Sequence, residues 1–110
     1  MTRWRSGPRW PVAEPSIFNR DMGYSAAEFY RILPAAIRDY DLVITGDQVV
    51  ITPKQGDHQL RLTITPLPDR ILANMRLPHI DVRFEFLNFS EQQRKEFMQA
   101  FDRSYQRGGG

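Results

Sequence analysis

The chain has 110 residues, room for one domain around one hydrophobic core. It contains no cysteine, which excludes disulfide frameworks, thiol catalysis, iron–sulfur clusters and cysteine-based zinc sites; two histidines, His58 and His79, are too few for a histidine-built metal centre. With 41% hydrophobic and 25% charged residues, a net charge of +2 and no apolar run near the ~18 residues of a spanning helix, the composition points to a small soluble α+β protein.

Residues 1–15 read MTRWRSGPRWPVAEP. Arg3, Arg5 and Arg9 stand against Glu14 alone, so this arm carries the positive excess. Pro8, Pro11 and Pro15 forbid a regular helix, and an extended arm is expected. No 7–15-residue apolar stretch follows the first charges, so the arm does not read as a secretory signal. Together with the lack of cysteine, this predicts a cytoplasmic location. Trp4 and Trp10, the only tryptophans, lie among these arginines. Both residue types are enriched at binding hot spots, which makes Trp4, Trp10, Arg3, Arg5 and Arg9 candidate partner contacts.

The first helix is announced by Ser25-Ala26-Ala27-Glu28, a capping box, with Tyr24 and Phe29 placed as a hydrophobic staple. Phe29, Tyr30, Leu33, Ile37 and Tyr40 continue at helical spacing; Pro34 either kinks this helix or ends it. From Asp41 the period falls to 2. Leu42 and Ile44 lead into Gly46-Asp47, and Val49 and Ile51 lead out, which predicts a type II′ hairpin pairing Ile44 with Val49 and Leu42 with Ile51. Lys54-Gln55-Gly56-Asp57 forms the next turn, and His58 is expected as an exposed residue beside it.

Leu60, Leu62 and Ile64 alternate with Arg61, Thr63 and Thr65, the pattern of a half-buried antiparallel strand. Pro66-Leu67-Pro68-Asp69 reads as a connection to a fourth strand near Arg70–Arg76, with Ile71, Ala73 and Met75 pointing inward. Ile80, Val82, Phe84 and Phe86 then face one way in the last strand, and Asp81, Arg83 and Glu85 the other. Ser90 and Gln93 cap a closing helix whose stripe is Phe97, Met98, Phe101 and Tyr105. The expected fold is α+β: a helix, a five-stranded antiparallel meander and a helix, with both helices on one sheet face. The domain spans residues 16–107, between the arm and a flexible tail at 108–110.

No catalytic motif emerges. Ser25 and Ser90 serve as helix caps, and neither a nucleophile elbow nor a glycine-rich phosphate loop is present. His79 and Asp81 share an outward face but lack further metal ligands, and Asp39 and Asp41 flank a helix-to-strand junction. The polar sheet face presents Arg61 and Arg83 as further candidate partner contacts, without the stacking aromatics of an RNA platform. The expectation is a non-catalytic protein-interaction or accessory domain that needs no cofactor or metal. It binds a protein partner through the arm, does not enter a membrane, and leaves the oligomeric state open. The alternatives are a weak nucleic-acid-binding protein using the basic arm and a small-molecule- or metal-linked domain.

Overall fold

The computed structural model describes residues 16–108. The order is strand β1 (Ser16–Met22), helix α1 (Ala26–Ala36), strands β2 (Tyr40–Thr45), β3 (Gln48–Pro53), β4 (Gln59–Leu72) and β5 (Met75–Leu87), and helix α2 (Glu91–Gly108). All strands pair antiparallel in one sheet ordered β1-β5-β4-β3-β2. The fold is α+β, with both helices on one face of this sheet.

The local signals work as their chemistry requires. Ser25 Oγ accepts from the Glu28 amide at 3.1 Å. Ser90 and Gln93 form both arms of a capping box, at 3.0 and 2.8 Å. Pro34 lies inside α1, but the helix stops two residues later, where the Ile37 amide still donates to the Leu33 carbonyl at 3.1 Å. Gly46, at φ +63°, supplies the left-handed turn residue between β2 and β3. Ile44 pairs with Val49, Val43 with Val50 and Leu42 with Ile51, as the turn predicts.

Five strands are present, but they are not the five that periodicity marks out. Ser16–Met22 is a strand ahead of α1, paired with β5 from Ser16↔Phe86 to Met22↔Ile80. It escapes an alternation reading because Arg20 falls on the inner face with Phe18 and Met22, while Ile17 lies outside. Arg20 is accommodated there by an ion pair with Asp102 of α2 and by the Phe84 ring, 5.7 Å from its guanidinium carbon.

The supposed fourth strand is instead the tip of one long hairpin. β4 runs on through Pro66 and Pro68, with a register shift between Leu67 and Arg70, and the chain turns at Ala73-Asn74. Proline is tolerated there because β3 pairs no further than Thr63, leaving the ladder open on that side. Ile71, Ala73 and Met75, expected inside, are exposed. Among the described residues no third strand or helix pairs with this segment, so their alternation has no core to face.

The core is markedly aromatic. Phe97, Phe101 and Tyr105 descend one face of α2 onto Phe84, Phe86, Phe89 and Phe29. Phe84 is fully buried, stacked on Phe18 at 4.7 Å and met edge-on by Phe101 at 5.4 Å. Burying each such side chain contributes about 1.5–3 kcal/mol. Among the described residues no helix is long and apolar enough to cross a membrane.

Candidate functional site

Two features stand apart from the packed core, and they lie at opposite ends of β4. One is a cleft beside His58, just before the strand begins. The other is the arm formed where β4 and β5 leave the sheet.

The cleft encloses about 810 Å³ between the end of α1, the start of β2, the end of β3 and one side of α2. Its wall includes Ala36, Ile37, Tyr40, Pro53, Phe97 and Ala100, and Arg38, Asp39, Lys54, Glu96 and Arg103 stand around it. His58 lines the cleft and is not the exposed turn residue that its sequence neighbours imply: only 9% of its surface is accessible. Tyr40 and Phe89 hold its ring edge-on, with centroids 5.9 and 4.7 Å away. Gly56 passes so close that a Cβ there would lie 3.0 Å from His58 Nδ1. The sequence clue was that glycine, two residues upstream, with φ +113°.

Electrostatics at the cleft is balanced. Lys54 Nζ lies 2.6 Å from Asp41 Oδ1, so this junction acid is a surface pair rather than half of a cation site. Glu96 accepts from the Gln92 amide at 2.8 Å. Burial raises the Tyr40 pKa above its ordinary value, and the nearby Glu96 and Asp39 carboxylates raise it further. Its hydroxyl therefore stays protonated at neutral pH.

The arm at the other end comprises residues 66–79. β1 pairs no further along β5 than Ile80, and β3 no further along β4 than Thr63, so among the described residues this segment is two-stranded. Ile71, Leu72 and Met75 crowd its tip, 66, 64 and 56% exposed. Ala73 turns the tip at φ +56°, a conformation unfavourable for a side chain bearing Cβ.

At the root of the arm, His79 does not join Asp81. Its Nδ1 lies 3.2 Å from both carboxylate oxygens of Asp21, which also takes Arg70 at 2.7 Å. Asp81 instead accepts from Asn19 at 2.7 Å. Only the pairing of β1 with β5 brings these groups together, so linear spacing had no means of revealing it. Among the described residues, no group of three or more His, Asp or Glu side chains is placed to hold a metal ion.

Arg61 and Arg83 project from the sheet face opposite the helices, as the alternation requires. Register places Arg61 between Val50 and Glu85, and Arg83 between Thr63 and Asn19. Trp4, Trp10, Arg3, Arg5 and Arg9 lie outside the described residues. No protein-family model matches the chain, and no curated protein matches its sequence.

Proposed function

We propose that this chain is a non-catalytic protein-interaction domain that engages a protein partner through the tip of the β4–β5 arm. The observation that carries this reading is the exposure of Ile71, Leu72 and Met75, each more than half accessible, with Leu72 and Met75 directly paired at the tip of a projection that contributes nothing to the core. Apolar side chains gain about 1.5–3 kcal/mol each when buried, and folding leaves that gain unused here. A partner surface can collect it.

The flanking charges describe the partner. Arg70 is already paired with Asp21, whereas Arg76 beside the tip has no ion pair among the described residues. An apolar protein cleft with an acidic margin fits this arrangement. A lipid surface fits less well, because the tip lacks the tryptophan or tyrosine that anchors at headgroup depth and Asp69 offsets one of its two arginines. Trp4 and Trp10 with Arg3, Arg5 and Arg9, in residues 1–15, extend the same reading as a second contact segment, and cysteine-free composition suits a cytoplasmic setting.

The test starts with the full chain as bait in native-host cytosol, followed by binary titration of the recovered partner. Leu72→Asp and Met75→Asp should each weaken that binary affinity by about 30-fold or more, as for a buried anchor, with an unchanged melting temperature. Arg83→Ala should leave it intact. Full affinity in both tip variants would overturn the reading. Flotation with anionic phospholipid vesicles, lost in Leu72→Asp, would assign the tip to a membrane instead.

A further inference from the structure

The geometry points to a second site: the cleft beside His58 binds a small uncharged aromatic molecule carrying one hydroxyl or carbonyl group, which hydrogen-bonds the His58 imidazole. The proposal is independent of the arm, since His58 precedes the first residue of β4 and the tip follows the last.

Its first support is an unanswered polar group. An imidazole has two ring nitrogens that seek partners, and buried polar groups in folded proteins are almost always satisfied. His58 is nine-tenths buried, yet neither nitrogen has a hydrogen-bond partner among the described residues. Its ring is fixed by Tyr40, Phe89 and Gly56, so it cannot swing out to bulk water without vacating a packed site. The little surface it retains lines the cleft.

The second support is the character of the wall. Half-buried Tyr40 meets the buried Phe97 edge to face at 5.3 Å, with Ile37 and Ala36 also in the lining, which makes the wall apolar and partly aromatic. Such surfaces favour an aromatic guest over an aliphatic one of equal size. The volume of about 810 Å³ lies within the range of small-molecule sites.

Charge decides the remaining choice. With Lys54 held by Asp41, the cleft's other charged groups are Arg38 and Arg103 against Asp39 and Glu96. Equal numbers of cations and anions select neither an acid nor an amine. His58 and Tyr40 line the same cleft and are suited to a neutral hydrogen-bonding guest.

Matched probes test each element on the ¹⁵N-labelled full chain by NMR titration. Phenol should bind saturably with a Kd of about 1–10 mM, the affinity its few heavy atoms allow, and should shift Tyr40, His58 and Phe97. Toluene, lacking the hydroxyl, should bind about fivefold more weakly, the worth of one hydrogen bond. His58→Phe should erase the difference between phenol and toluene. Ala100→Phe, on the exposed side of α2, should block both probes without entering the core. No saturable shift with phenol, or an undiminished phenol advantage in His58→Phe, would overturn the site. Tighter binding of benzoate or benzylamine would overturn the uncharged class, and cyclohexanol binding as well as phenol would overturn the aromatic one.

Discussion

The hydroxyl of Tyr105 donates to the carbonyl oxygen of Phe29 at 2.8 Å, closing the last helix onto the first across 76 residues of sequence. Tyr24 answers by donating its own hydroxyl to the Tyr105 carbonyl. The Tyr105 ring is stacked on Phe29 at 5.0 Å and tilted against Phe101 at 4.6 Å, so the bond is made in apolar surroundings. There an unmade hydrogen bond costs more than in water.

Tyr105→Phe keeps the ring and removes the donor. It should destabilise the protein by about 1–2 kcal/mol in urea unfolding at neutral pH, the worth of one buried hydrogen bond. A change below about 0.3 kcal/mol would mean that the Tyr105–Phe29 hydrogen bond adds nothing to the packing of the two helices.

Burial drives the Tyr105 pKa upward, and Tyr24 beside it adds to the rise. Tyr24, Tyr30 and Tyr40 are raised as well, each chiefly by burial. A raised folded-state pKa means the native protein keeps protons that the unfolded chain sheds above about pH 10. Stability is therefore fully present below that pH and falls as pH climbs past it. Urea midpoints should be insensitive to these tyrosines from pH 7 to 9 and should drop steeply above about pH 10, less steeply in Tyr105→Phe.

Phe84→Ala should cost about 3–5 kcal/mol, the usual penalty for emptying a buried aromatic site. The ring is fully buried between Phe18 and Phe101. Arg83→Ala, one residue away on the open face, should change stability by no more than about 0.5 kcal/mol. Denaturant melts of the two variants read the strand phase directly, and equal losses would contradict it.

Gly56→Ala brings a Cβ to 3.0 Å from His58 Nδ1 at a backbone angle, φ +113°, that side chains rarely adopt. The expected loss is about 1–3 kcal/mol, with displaced His58 ring resonances in NMR spectra. Gly23→Ala, which meets nothing within 4 Å, is the control and should leave those resonances in place.

The β4–β5 arm should open far more readily than the sheet it grows from, because it is two-stranded and its tip side chains are exposed. Backbone amides of Leu72 and Met75 should exchange with solvent at least about 100-fold faster than those of Leu62 and Val82. Comparable protection would show the tip already covered, by a second copy of the chain or by another segment, and sedimentation velocity would separate those cases.

What the sequence by itself determined is whatever depends on neighbours a few residues apart. The Ser25 and Ser90 caps, the Gly46 turn, the Ile44–Val49 register and the inward phase of Ile80, Val82, Phe84 and Phe86 all follow from short-range sterics and side-chain alternation. Tertiary structure decided everything that rests on a partner brought from far along the chain. Ser16–Met22 becomes a strand because β5 lies beside it, and Arg20 can point inward only because Asp102 and Phe84 await it there. His58 is buried because Tyr40 and Phe89, on either side of it in sequence, converge on its ring, and His79 pairs with Asp21 rather than with its near neighbour Asp81. Ile71 and Met75 alternate like core residues yet remain in water, because periodicity orients a side chain but a second layer must be present to bury it.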